Sequence, residues 1–387
     1  MTGKRPVVLF MVGRYIPGFR AGGPVRSAKN LVEALGAEFD FRVVAFDRDL
    51  GQSTPYPGLG GSWTRVGPAD VLYVAPRGAT RALASLLRAG GYDLLYLNSF
   101  FDPRFALLPL ILRRLRLVPD APVVIAPRGQ FAVDAMQIRA WRKRVYLTLV
   151  RHFLLRGDEH WQATGTPEAS AIQSTIHPRA TQLRVAENVP PLLPPLPPRV
   201  PKVPGVLRAV FLSRVAPMKN LLGAIQMLRG LRGTVSLDVV GPLEDLHYWA
   251  ECQTASQAGE ARLALRALAP VQPSEVPQTF ARYDLFVFPT HGENFGHVII
   301  ESLLAGCPVL TSDRTPWRGL ADRRAGWDFP LEKQDVFIET LQWAVDADDA
   351  AYAPYSAGAR AFAERYIRED RSVDKTREMF EAAMDGS

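Results

Sequence analysis

The sequence predicts an α/β chain of two doubly wound domains, each a mostly parallel sheet with helices on both faces. Three observations carry this. Short apolar runs rich in Val, Leu and Phe alternate with longer helical patterns, the signature of βαβ units. The run from Val189 to Gly205 holds Pro190, Pro191, Pro194, Pro195, Pro197, Pro198, Pro201 and Pro204, which forbids helix and favours an extended connection. A length of 387 residues, 47% of them apolar, suits two cores better than one.

In the first half, strands are expected near Val7–Val12, Phe41–Phe46, Val71–Val74, Leu94–Leu97 and Val123–Ala126. The second half repeats the alternation, with strands near Arg208–Leu212, Ser236–Val240, Leu285–Phe288 and Val309–Thr311, and helices near Asn220–Arg232 and Phe295–Ala305. The resulting boundaries are 1–190 for the first domain, 191–206 for the linker and 207–360 for the second domain. Segment 361–387 belongs to a charged helical pattern, Ala357 to Met384, that either caps the second domain or crosses back to the first. Ligands are expected in a cleft, at the carboxyl ends of the strands.

Composition removes several classes. Cys252 and Cys307 stand alone without metal-ligand spacing, so neither a disulfide framework nor a zinc site is implied, and a reducing cytoplasm fits. Lys4 and Arg5 before Val7–Val12 resemble the start of a signal peptide. Arg14 ends that apolar run and no small-residue cleavage site follows, so the segment reads as a first buried strand. No stretch approaches the roughly 18 apolar residues of a spanning helix. The net charge of +7 is uneven: residues 1–195 hold 25 Lys or Arg against 14 Asp or Glu, a balance of +11 that leaves −4 for the rest. The first half therefore either faces something anionic or simply carries solvated arginines.

The segment Phe288–Trp317, FPTHGENFGHVIIESLLAGCPVLTSDRTPW, reads as strand, loop, helix and strand around one site. Glu293 lies just before the helix, where Asn294, Phe295 and Gly296 offer backbone N–H groups at a positive helix end. Glu301 lies about two turns in, where a carboxylate can accept hydrogen bonds from a ribose diol. Taken singly, each glutamate is more ordinarily a solvated surface charge. A second segment, VFLSRVAPMKN from Val210 to Asn220, ends a buried strand in Arg214 and places Lys219 at the next helix start. Two cations there would neutralise charge growing on a departing diphosphate, a task otherwise given to a metal.

With these residues the sequence resembles the retaining glycosyltransferases of family 4, which have the two-Rossmann GT-B fold. Gly22 and Gly23, after the first strand, match the glycine-rich loop with which that family's first domain approaches the donor or acceptor, and the resemblance places them among the donor-binding residues. The resemblance implies that Arg214 and Lys219 hold the diphosphate, that Glu301 holds the ribose, and that Glu293 with the amides of Asn294, Phe295 and Gly296 holds the donor sugar. Arg214, Lys219, Glu293 and Glu301 are the catalytic set it implies. The activity it implies is metal-independent hexosyl transfer from a nucleoside-diphosphate sugar to a saccharide or lipid-linked acceptor, in surface polysaccharide or glycoconjugate synthesis. A uridine-linked donor is preferred over a guanosine-linked one on family habit alone. No metal or other cofactor is expected, the nucleotide sugar being a co-substrate.

One departure stands out. Many family members place a His after the fourth strand of the first domain, where this chain reads LLYLNSFFDPRF with Asn98 and Ser99. Asn98 and, after the fifth strand, Arg128 are the acceptor-side candidates, with a structural turn as the alternative for Arg128. The string Asp47, Arg48, Asp49 follows a strand and is taken as no metal site.

The segment Ile138–Arg156 mixes Arg139, Arg142, Lys143, Arg144, Arg151 and Arg156 with Trp141, Val145, Tyr146, Leu149, Val150, Phe153 and Leu154; Leu110–Leu117 adds Arg113, Arg114 and Arg116. At 100° per residue the apolar arc is wide and holds several cations, so a packed basic helix and a peripheral contact with anionic membrane are both open. The expected location is the cytoplasm, or the inner face of its membrane. Nucleic acid is not an expected partner, for no recognition module or stacking platform is present. A dehydrogenase is disfavoured by the spacing of Gly18, Gly22 and Gly23. A sugar-nucleotide epimerase, or a non-catalytic nucleotide-sugar sensor, remains the alternative.

Overall fold

Two sheets organise the chain, one in each of two compact units: Met1–Val189 with Arg371–Ser387, and Pro190–Asp370. The computed structural model describes residues 4–131, 140–258 and 263–386.

The first sheet comprises β1 (Val7–Gly13), β2 (Asp40–Phe46), β3 (Trp63–Val66), β4 (Ala69–Val74), β5 (Leu94–Leu97), β6 (Val123–Ile125), β7 (His160–Ala163) and β8 (Leu183–Val185). Their spatial order is β3-β4-β2-β1-β5-β6-β7-β8. Every pairing is parallel except β3 with β4. β1 buries all its residues but Val12, as a strand covered on both faces must. Alternate residues serve opposite layers: Val8 and Phe10 enter one apolar cluster, and Leu9 and Met11 the other. Helices α1 (Gly23–Leu35), α2 (Ala79–Ala89), α3 (Leu108–Arg114), α4 (Ala140–Leu149) and α5 (Thr166–Ile176) belong to this unit.

The second sheet comprises β9 (Val206–Leu212), β10 (Thr234–Val240), β11 (Ala264–Leu268), β12 (Leu285–Phe288), β13 (Val309–Ser312) and β14 (Gly326–Phe329). Its order is β11-β10-β9-β12-β13-β14, parallel throughout. Chain direction across the sheet reverses between β9 and β12. That is a switch point, where loops leave the sheet in opposite directions and open a crevice. The sheet is flanked by α6 (Leu221–Arg229), α7 (Leu246–Gln257), α8 (Val276–Phe280), α9 (His297–Leu304), α10 (Gln334–Asp346) and α11 (Asp349–Glu369). Phe286 stacks on Phe288 at 5.1 Å, and Phe211 meets Phe288 at 5.7 Å. Burying each such ring is worth about 1.5–3 kcal/mol.

Five strands lie outside the sequence expectation: β3, β7, β8, β11 and β14. The pattern Ala357–Met384 also breaks in two, because Asp370 is extended. α11 ends at Glu369, and α12 (Ser372–Met384) belongs to the first unit. There Phe380 meets Phe39 edge-on at 5.6 Å and Tyr96 at 5.1 Å. The proline-rich segment is bound to the second unit. Arg199 grips Asp349 through both nitrogens at 2.6 and 2.8 Å, Lys202 N donates to the same carboxylate at 2.8 Å, and Arg360 Nη2 donates to Pro194 O at 2.9 Å.

Candidate active site

In the second unit the adjacent strands β9 and β12 end side by side, and their loops are tied together. His291 N donates to Met218 O at 2.9 Å, Thr290 Oγ1 to the same carbonyl at 3.1 Å, and Asn220 Nδ2 to Pro289 O at 2.8 Å. Asn220 turns the chain from β9 into α6. It adopts φ +58°, a conformation asparagine tolerates, and its side-chain oxygen caps Gly223 N at 3.3 Å.

This bracing places Lys219 Nζ 2.5 Å from Glu293 Oε1, with both side chains mostly buried. The Glu293 backbone is fixed in turn, its N–H donating to Arg314 O at 3.1 Å. Arg214 is more exposed and pairs with Glu244, in the loop after β10, at 2.6 Å. The loops after β9 and β10 pack so closely that a Cβ on Gly241, at φ +146°, would overlap the Ser213 carbonyl. Gly296, at φ +74°, starts α9. The Phe295 carbonyl beside it accepts a hydrogen bond from the Trp317 indole, whose ring lies 5.5 Å from that of Phe295. Asn294 is exposed, and Glu301 lies half-buried in the second turn of α9. Arg214, Lys219, Glu293, Asn294, Phe295, Gly296 and Glu301 therefore all belong to the two loops that follow β9 and β12, or to the helix those loops lead into.

In the first unit Gly22 takes φ +69° and precedes α1. The space where its Cβ would stand is open to 4 Å, so backbone conformation alone asks for glycine there. Gly23 opens the helix. Their loop is anchored by Asp49, whose Oδ2 accepts from Phe19 N at 2.8 Å and Arg20 N at 3.1 Å, while Oδ1 accepts from Leu50 N at 2.7 Å. Asp47 pairs with Arg48 at 2.8 Å. The Asp47–Asp49 string thus builds a loop.

Asn98 and Arg128 come together at the ends of β5 and β6. Arg128 Nε donates to Asn98 Oδ1 at 2.6 Å, Nη1 to Asn188 Oδ1 at 2.7 Å, and Nη2 to the Tyr96 hydroxyl at 2.5 Å. Burial pushes the Tyr96 phenol above its ordinary pKa. All three acceptors are neutral, and a guanidinium has five N–H groups, so two remain for a further acceptor.

Sequence reasoning did not single out Glu244, Asn188 or the capping role of Asn220. The last had a signal, since an Asn at the first residue of a helical pattern marks an N-cap. Glu244 and Asn188 had none, because their proximity follows from which strands lie side by side.

Residues 198–356 match the family described as Glycosyl transferases group 1, and residues 22–189 match the Glycosyl transferase 4-like domain. The phosphatidyl-myo-inositol mannosyltransferase of Mycolicibacterium smegmatis is 34% identical over 125 residues, which is 32% of this chain and 31% of that protein. Sucrose-phosphate synthase of Thermosynechococcus elongatus superposes with a TM-score of 0.68 at 16% identity, covering 99% of this chain and 100% of that one. Anabaena HepE in complex with UDP-glucose gives 0.64 at 16% identity, covering 98% and 99%. At such identities the likeness establishes the fold.

Proposed function

Because the chain belongs to glycosyltransferase family 4 and has the GT-B fold, we propose that it transfers a hexose from a nucleoside-diphosphate sugar, with retention, to a saccharide or lipid-linked acceptor. The carrying observation is the mostly buried Lys219–Glu293 pair at the carboxyl ends of the two strands flanking the switch point, with Arg214 on the same loop as Lys219.

In this reading Lys219 keeps Glu293 as one partner and turns its remaining ammonium protons to the diphosphate, joined by Arg214. The two cations offset the negative charge that develops as the sugar–phosphate bond breaks, without a metal. Glu293 and the amides of Asn294, Phe295 and Gly296 receive the sugar hydroxyls, and Glu301 accepts from the ribose diol. Retention then follows from front-face attack, the acceptor proton leaving toward the departing phosphate. Asn98 and the spare Arg128 N–H groups serve the acceptor.

A uridine-linked donor is preferred, in keeping with the UDP-glucose in the HepE complex. The name of the Mycolicibacterium relative puts a mannosyl group on a phosphatidylinositol, which supports a lipid-linked acceptor and work at the inner face of the cytoplasmic membrane. No helix among the described residues is long and apolar enough to cross a membrane.

The test is thermal stabilisation by a panel of nucleoside diphosphates and their sugars, followed by release of nucleoside diphosphate with and without acceptor. Acceptor-dependent release is expected. Stabilisation with no release under any acceptor would favour a sensor, and conversion of the donor without release would favour an epimerase.

A further inference from the structure

Helix α4 continues into a wider turn, Val150–Leu154, and together they divide the broad apolar arc of this segment into two faces. Tyr146, Leu147, Val150 and Leu154 face inward: the Tyr146 hydroxyl donates to Phe100 O at 2.6 Å, and the other three pack on the first unit's core. Trp141, Val145, Leu149 and Phe153 recur every fourth residue and face outward, at 68, 52, 52 and 63% exposure. Ile138 and Arg139 lie outside the described residues, as does the Arg142 side chain.

A second strip adjoins this one. Leu115 and Leu117, beyond the end of α3, are also exposed, and Arg114 Nε donates to Phe153 O at 3.0 Å. Arg114, Arg116, Arg144 and Arg151 are exposed among these side chains. Arg113 is not part of this surface, since it is buried against Asp158 and Glu159 at 2.8 and 3.3 Å. No Asp or Glu occurs in residues 103–119 or 140–157. Of the carboxylates that flank these stretches, Asp102 caps the turn that follows it, Asp120 pairs with Arg156 at 2.7 Å and Asp158 with Arg113, while Asp134 lies outside the described residues.

We propose that this face docks on an anionic lipid bilayer. Trp141 and Phe153 would enter the boundary between headgroups and acyl chains, with Val145 and Leu149 between them, while the four arginines reach the headgroup phosphates. A second copy of the chain fits less well, because a two-fold contact brings the same arginines together without a carboxylate to meet them. Duplex nucleic acid offers phosphates on its surface but no continuous apolar layer that Val145, Leu149, Leu115 and Leu117 could enter together. A charged bilayer surface satisfies both halves of the pattern.

The test is flotation of the full chain with vesicles, which needs no turnover and so stands apart from the donor-site reading. Wild-type protein should float with phosphatidylcholine mixed with phosphatidylglycerol at low salt, come off at high salt, and stay behind with phosphatidylcholine alone. Arg144→Gln with Arg151→Gln should lower the partition coefficient roughly 25-fold, at about 1 kcal/mol per cation. Trp141→Ser with Phe153→Ser should abolish flotation with a melting temperature close to wild type, because both side chains are largely exposed. Wild-type protein that ignores anionic vesicles overturns the proposal, and so do variants that float like wild type. If the aromatic variant instead converts a dimer to a monomer in sedimentation, with no vesicle binding by either protein, the face is an interface between copies and the proposal fails.

Discussion

Lys219 and Glu293 form an ion pair that joins the loop after β9 to the loop after β12. Lys219→Ala removes the proposed diphosphate partner and also leaves Glu293 mostly buried without its cation. We expect kcat/KM to fall roughly 100-fold to 1,000-fold, the usual loss for one donor aimed at developing charge, together with a lower melting temperature. Adding Glu293→Gln should restore much of the stability and none of the activity. Near-wild-type turnover in Lys219→Ala would remove this site from the reaction.

Glu301→Ala tests the proposed ribose contact. Its expected signature is a raised KM for the donor and weaker stabilisation by nucleoside diphosphate, with an unaltered circular dichroism spectrum. Unchanged donor affinity would assign Glu301 a structural role only.

Transfer should persist in EDTA, because in the proposed mechanism Arg214 and Lys219 supply the positive charge that a metal would otherwise bring. Activity that vanishes with chelator and returns with magnesium would refute metal independence.

Gly241→Ala should destabilise the chain by about 1–3 kcal/mol, the range for a residue forced into a sparsely populated backbone region. The added methyl also meets the Ser213 carbonyl, so the loop carrying Arg214 must shift. A urea midpoint and a donor KM both equal to wild type would contradict this packing.

Asp349 gives a pH dependence. The Arg199 guanidinium, then Lys202 N, lower its pKa from the ordinary 3.8 to about 2. A carboxyl whose folded pKa is depressed stabilises fully above its unfolded value, and that contribution disappears as pH falls through the folded one. Wild type should therefore melt above Asp349→Asn at neutral pH, with the gap closing between about pH 4 and pH 2. A gap independent of pH would show that the ion pair is not its source.

The sheet centres were legible in the sequence and the edges were not. β1, β5, β12 and β13 bury nearly every residue, so their apolar runs stand out. β3 and β11 alternate exposed with half-buried positions or lie largely open, and β7 buries His160 and Gln162, which erases the apolar signal. The candidate site was legible where one loop holds its parts, as in Glu293–Gly296. The Arg214–Glu244 and Arg128–Asn188 contacts join loops of different strands, and a linear pattern carries no sign of such neighbours.

Helix α12 also fixes an order of assembly. Its Phe380 closes on Phe39 and Tyr96, yet it is synthesised after every residue of the second unit. The second unit, continuous in sequence, can finish folding as it leaves the ribosome, whereas the first must wait with part of its core open to water. A stop codon after Asp370 would therefore damage the half of the molecule made earliest. During synthesis that half is the one exposed to aggregation and most in need of a chaperone.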